Sequence, residues 1–246
     1  MVDLHTHILP GVDDGARDWV MAGEMCRMAL EDGIRHIVCT PHANDMYAYD
    51  RTILQQLIQQ LKGTAGVSSE LEFSLGCDFN FSFQNIQQAQ ADPANFAIAK
   101  TRYMLVELSD FAIPPAIGET LLRFIESGVI PVITHPERNL VMQQRPELAL
   151  WFAQMGCVIQ LTANSLTGSW GQAPKKLGFW LLEHQAAHVI ASDAHNTTTR
   201  PPILSKARSE VAIRFGDELA RALVLDNPGA IVRGEELFYF PPPKVV

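Results

Sequence analysis

Seven short, mostly apolar runs alternate with amphipathic segments along the 246-residue chain, at residues 1–7, 34–40, 71–78, 103–108, 129–134, 157–162 and 188–192. Continuous apolar runs read as strands covered on both faces. Strands that alternate with helices, with nothing linker-like between them, indicate an α/β fold on a parallel sheet, open or closed into a barrel. The spacing predicts helices over 17–31, 51–62, 115–127, 146–155, 174–184, 202–214, 216–225 and 228–232. Val20, Met21, Met25, Met28 and Ala29 mark the apolar face of the first, which reads as core. Asn227-Pro228 reads as the N-cap and first residue of the last. Residues 1–240 then form a single domain, and 241–246, with Pro241-Pro242-Pro243, an extended and poorly ordered tail.

Composition narrows the class. The formal net charge is -8 and no basic run occurs, which argues against a nucleic-acid partner. No stretch approaches about 18 consecutive apolar residues, so the chain is not expected to be an integral membrane protein. The N-terminus shows no basic segment followed by an apolar core. Cys26, Cys39, Cys77 and Cys157 lack paired spacing and read as reduced thiols of a cytoplasmic protein, with Cys39 and Cys157 as small buried hydrophobes.

The chemistry gathers where the runs end. His5 and His7 lie two apart at the end of the first strand, so both imidazoles face one spot. His42, Asp78, Glu107, His135, Asp193 and His195 each fall at or just past the C-terminal end of a later strand, and Asp14 lies in the loop after the first. In α/β barrels that end builds the active site. His36 and His188 begin strands and His184 lies on a helix, so these three read as structural or solvated. A set of imidazoles and carboxylates without sulfur suits Mn, Fe or Zn and disfavours a closed structural zinc site. The set exceeds what one tetrahedral ion needs. Two or three ions sharing carboxylates would use it, and such clusters hydrolyse phosphate esters by activating water and clamping the attacking and leaving oxygens.

Arg138 follows the His135 strand end, and Arg200 follows His195 by a threonine-rich loop. Two guanidinium forks on that rim favour an anionic, phosphate-bearing substrate over surface ion pairs such as Arg138 with Glu137 or Glu147. The Cys-x5-Arg phosphate loop, the Gly-x-Ser-x-Gly elbow and the Gly-x4-Gly-Lys-Ser/Thr loop are all missing, so the nucleophile is expected to be water rather than a side chain.

The segments VDLHTHILPGVDDG (2–15), CTPHA (39–43), LVELS (105–109), THPERN (134–139), QLTANSLTG (160–168) and SDAHNTTTRPP (192–202) carry a family resemblance. The chain resembles the polymerase-and-histidinol-phosphatase superfamily, and within it the bacterial manganese-dependent protein-tyrosine phosphatases of capsule and exopolysaccharide loci. The resemblance implies a distorted (β/α)7, TIM-like barrel with three divalent ions, manganese foremost and iron or zinc as alternatives. It implies that His5, His7 and Asp193 hold one ion, with Asp78 bridging to a second completed by Glu107 and His135. Asp14 (or its neighbour Asp13), His42 and His195 would hold the third, and Arg138 and Arg200 would grip phosphate.

The implied substrate is a phosphotyrosine-bearing protein, the tail of a bacterial tyrosine kinase. The bridging residue is normally glutamate in this branch, so Asp78 means a closer strand or a weaker bridge. A small-molecule phosphoesterase of the same superfamily and a weakly active metal-binding regulatory module are the competing expectations.

Overall fold

The computed structural model describes residues 1–64 and 67–244. Every apolar run becomes strand: β1 (Val2–Thr6), β2 (His36–Cys39), β3 (His42–Ala43), β4 (Glu72–Leu75), β5 (Asp78–Asn80), β6 (Tyr103–Glu107), β7 (Ile130–Thr134), β8 (Val158–Thr162) and β9 (Val189–Ala191). All pair in parallel, in the orders β1-β2-β4 and β3-β5-β6-β7-β8-β9. The chain runs from β2 into β3 and from β4 into β5, which joins the two sheets. The ring closes between β1 and the segment after β9. There Thr6 bridges Ala194, the Asp193 N–H donates to His5 O at 2.9 Å, and the His7 N–H donates to Ala194 O at 2.8 Å. The result is the expected seven-stranded parallel barrel.

Its distortion has local causes. The expected strand 34–40 is followed, after a break at Thr40-Pro41, by the short β3, and the expected strand 71–78 breaks at Gly76-Cys77 before β5. Pro41 has no N–H to give a ladder. Gly76 sits where an added Cβ would meet the side chains of Thr40, Ile98 and Val38 at 3.1–3.2 Å. Pairing resumes when the Asp78 N–H reaches Pro41 O at 3.1 Å, which sets His42 opposite Asp78. β1 carries a bulge. Asp3 opposes Ile37 and Thr6 opposes Cys39, three steps against two.

Buried residues from six of the strands, among them Val2, Leu4, Val38, Leu105, Val132, Val158 and Val189, meet in one cluster that fills the barrel lumen. The larger cluster lies between strands and helices and takes in Ile37, Phe73, Val106, Ile133 and Leu161. The expected helices appear as Trp19–Glu31, Arg51–Lys62, Ala116–Glu126, Glu147–Gln154, Gln172–Glu183 and Ser205–Phe215. Asp18 and Asp50 cap the first two through their side chains. On the first, Met25 and Ala29 are buried as expected, but Val20 faces solvent.

Three helices were not foreseen: Phe83–Ala91, which is glutamine-rich, and the five-residue Leu140–Gln144 and Ala163–Thr167. The reading of Asn227 as a cap is corrected. Asp217–Arg221, a π-helical turn (Ala222–Asp226) and Asn227–Arg233 run on without a break, so Asn227 lies inside the helical run. Its buried amide instead donates to His188 O at 2.8 Å and Tyr239 O at 2.7 Å, and accepts the Tyr239 N–H at 2.9 Å. The tail is also better held than expected. Within it the Lys244 N–H donates to His184 O at 2.9 Å, and just before it Phe240 packs on His188 with ring centroids 4.5 Å apart. Positions 245 and 246 of that tail lie outside the described residues.

All four cysteines are buried free thiols. Among the described residues no helix is long and apolar enough to cross a membrane.

Candidate metal centre

Six strand ends deliver the predicted residues to one mouth of the barrel. β1 carries His5 and runs out at His7, β3 opens with His42, β5 opens with Asp78, and β6 ends on Glu107. His135 follows β7, while Asp193 and His195 follow β9. His135 and Asp193 have φ of 34° and 54°. Non-glycine residues resist this left-handed region, and strain of this kind gathers at functional sites.

Asp14 arrives on the 8–15 loop, which folds back on β1. The Ala16 N–H donates to His7 O at 2.9 Å, and Gly15 lies so close that an added Cβ would sit 2.0 Å from that oxygen.

All nine predicted donors come together, in four overlapping sets whose donor atoms lie within 4.8 Å of one another. The sets are His7, Asp14, His42 and His195; His5, Asp78 and His135; His5, His7 and Asp193; and His42, Asp78 and Glu107. Asp78 is central. Its Oδ2 lies 3.1 Å from His42 Nδ1 and 3.4 Å from His5 Nε2, so the shorter carboxylate still reaches both imidazoles.

Asp13 and Asp14 divide their work. Asp14 Oδ1 faces His42 Nε2 at 3.3 Å and His195 Nε2 at 3.5 Å. Asp13 stays behind His7, accepting from its Nδ1 at 2.7 Å and from the Gly15 and His42 N–H groups. Gln160 Oε1 accepts similarly from His5 Nδ1 at 2.9 Å. These bonds place the protons on Nδ1 and turn each Nε2 toward the shared space.

Burial and neighbours split the titration behaviour. Burial would lower both His5 and His42, but Asp78 and Asp193 raise His5 to about 9, and Asp14 and Asp78 raise His42 to about 11. His7 falls to about 4 through burial and His195, and His135 to about 3 through burial and Arg138. Burial and Asp78 lift Glu107 to about 8. Burial would also raise Asp78 and Asp193; the surrounding cations override it and hold both well below the ordinary carboxylate range.

Arg138 and Arg200 stand on the rim, about a fifth exposed, and neither pairs with Glu137 or Glu147. Both guanidiniums donate to Asp193 Oδ2, Arg200 at 2.6 Å, while Asp193 Oδ1 lies 3.5–3.6 Å from His5, His7 and His195. The same two cations lie over the indole of Trp170, at 4.3 and 5.5 Å from its centroid. The three remaining histidines lie elsewhere. His36 meets Ser74 and Glu72, His184 stacks on Trp180, and His188 accepts the Ile159 N–H.

Sequence reasoning gave no role to Gln160, Asn139 or Trp170. Asn139 had a signal, since an asparagine before an apolar run is a helix-cap pattern. Its Oδ1 accepts from Val141 and Met142, and its Nδ2 ties the loop to Ser109 O at 2.9 Å. Gln160 had only its place at the head of the 160–168 segment, and Trp170 had none.

The site fits divalent cations on its own terms. His42 Nδ1, His195 Nε2 and both Asp78 oxygens are buried without a hydrogen-bond partner. Buried polar atoms are ordinarily satisfied, and a mixed imidazole–carboxylate set orphaned in one place is what bound cations would complete.

Residues 1–233 match the family described as capsular polysaccharide synthesis, CpsB/CapC. The chain is 34% identical to the tyrosine-protein phosphatase YwqE of Bacillus subtilis, covering 100% of this chain and 96% of that protein. It is 26% identical to the tyrosine-protein phosphatase CpsB of Streptococcus pneumoniae, over 94% of this chain and 98% of the relative. A solved chain among the crystal structures of YwqE and CpsB, described as unique metal-dependent tyrosine phosphatases, superposes with a TM-score of 0.90 at 32% identity, covering 100% of this chain and 99% of its own.

Proposed function

The chain belongs to the CpsB/CapC family of capsular polysaccharide synthesis, and from that premise we propose that it is a metal-dependent protein-tyrosine phosphatase. The observation that carries the reading is the convergence of nine imidazole and carboxylate donors, four of their atoms buried and unpartnered, beside two rim guanidiniums.

His5, His7 and Asp193 would hold one divalent ion. Glu107 and His135 would hold a second, with Asp78 between the two, and Asp14, His42 and His195 a third. The nitrogen and oxygen donors suit manganese, iron or zinc, and the sequence resemblance puts manganese first. When bound, the ions supply the nucleophilic water and the positive charge that phosphoryl transfer to water requires.

The chain's own residues do the rest. Gln160 and Asp13 hold His5 and His7 with Nε2 toward the site. Arg138 and Arg200 present N–H donors at the rim, where a phosphate dianion competes for them with Asp193. Phenolate is a leaving group of pKa near 10, so an aryl phosphate departs with less help from an acid than an alkyl one.

The physiological substrate we propose is a phosphotyrosine-bearing protein, the tail of a bacterial tyrosine kinase acting in exopolysaccharide synthesis. The family description supports the link to polysaccharide synthesis; the kinase tail rests on the sequence resemblance alone.

Hydrolysis rates on a phosphotyrosyl peptide and on sugar and amino-alcohol phosphates test the reading, with intact, chelated and His42→Ala protein. The peptide should be preferred, and turnover should fall by at least about 100-fold on chelation or substitution. Preference for the small phosphates would make it a small-molecule phosphatase. Background rates on every ester from metal-loaded protein would make it a regulatory module.

A further inference from the structure

Among the described residues, Trp170 is the one aromatic side chain that lies under both rim arginines, and it is not one of the nine candidate donors. Its loop joins helices Ala163–Thr167 and Gln172–Glu183 and is bracketed by Gly168 (φ 88°) and Gly171 (φ 94°). Side chains at those two positions would strain the backbone, so the loop's course is set by glycine.

The helix that leads into the loop is tied to both arginine-bearing segments. Glu137, next to Arg138, accepts the Thr162 N–H at 3.0 Å and the Ser165 hydroxyl at 2.8 Å, which pins the start of Ala163–Thr167. Asn164 Nδ2 donates to Thr199 O at 3.2 Å, beside Arg200. The indole is therefore built into position, with about a third of its surface exposed. Arg138 and Arg200 are like charges drawn to one carboxylate oxygen of Asp193. The negative face of the indole offsets the repulsion between two cations lying over it.

We propose that Trp170 is the positioning residue that holds Arg138 and Arg200 side by side as one phosphate-receiving pair. Two flexible guanidiniums would otherwise each have to be ordered when the anion arrives, a cost that pre-organisation removes. When phosphate takes N–H donors from Asp193 Oδ2, the indole contact keeps both cations at the rim. The inference rests on the phosphatase reading through the arginines' role toward phosphate.

Titration of inorganic phosphate into the manganese-loaded protein tests it by calorimetry, with Trp170→Leu, Trp170→Phe, Arg138→Ala, Arg200→Ala and the double variant W170L/R138A. Trp170→Leu should bind phosphate about ten-fold more weakly while keeping its full metal content, and Trp170→Phe should recover most of the loss. In steady state with a phosphotyrosyl peptide, the fall in kcat/KM of Trp170→Leu should be carried chiefly by KM. The double variant should lose less than the product of the two single effects.

Wild-type phosphate affinity in Trp170→Leu, or single effects that multiply fully, overturns the proposal and leaves the phosphatase reading standing. Loss of metal from Trp170→Leu also overturns it, since the residue would then be supporting the site as a whole. Unchanged phosphate affinity in both Arg138→Ala and Arg200→Ala overturns the arginines' role itself, and the inference with it.

Discussion

Asp193 faces two chemistries with its two oxygens. Oδ1 looks toward His5, His7 and His195, and Oδ2 accepts from Arg138 and Arg200. Replacing it with asparagine keeps the shape and removes the charge that both sides use. Asp193→Asn should lose at least about 100-fold in turnover together with part of its metal, checked by rate and by elemental analysis of one sample. Normal metal content and normal rate would show that the charge is not needed.

The histidines add a pH prediction. His5 and His42, raised to about 9 and about 11, hold a proton at pH 7 in the metal-free protein. Imidazole binds metal only when its donor nitrogen is unprotonated, so loading must expel those protons. Metal affinity should therefore rise with pH between 6 and 9. The calorimetric heat of manganese binding should also differ between buffers of different ionisation enthalpy. Equal heats in both buffers would contradict the protonated state.

At the level of elements, the 8–15 loop and the 135–139 turn bring side chains in from beyond the strands. Gly15→Ala would place a methyl 2.0 Å from His7 O, so the loop must shift, taking Asp13 off His7 and Asp14 off the site. That variant should melt lower and bind manganese more weakly, read by thermal unfolding with and without the ion. Asn139→Ala removes a helix cap and should cost about 1 kcal/mol in denaturant unfolding.

The alternation of strands and helices was legible because the apolar runs are continuous and the helical faces periodic, as at Arg51–Lys62. The breaks at Thr40-Pro41 and Gly76-Cys77 were not, because a two-residue strand such as His42–Ala43 is below what periodicity resolves. Phe83–Ala91 was missed because its glutamine-rich sequence shows little apolar face, with Ala89 its one buried residue. Asn227 was misassigned since an Asn-Pro pair normally opens a helix, and here tertiary contacts with His188 and Tyr239 outweigh that preference.

Across the whole molecule, closing the barrel turns residues from position 5 to position 195 into neighbours. The convergence could be read from sequence because every donor but Asp14 sits at or just past the end of an expected strand, and the parallel fold puts all those ends on one face. The supporting shell could not be, because the Gln160–His5 bond and the Trp170–arginine contacts join residues whose separation in sequence carries no signal.

A site shared by six strand ends should also couple metal binding to global stability. Manganese at about 100 times its dissociation constant should add about 2.7 kcal/mol per independent site, or roughly 5–10 °C in Tm for a chain of this size. Chelation should reverse the shift.

The most direct test is an anomalous-difference map from crystals of the manganese-loaded protein, collected at the manganese edge. The predicted result is strong peaks inside the ring formed by His5, His42, His135 and His195, with Asp78 between two of them. A map with no peak there, from crystals of protein that hydrolyses phosphotyrosine, would contradict the account.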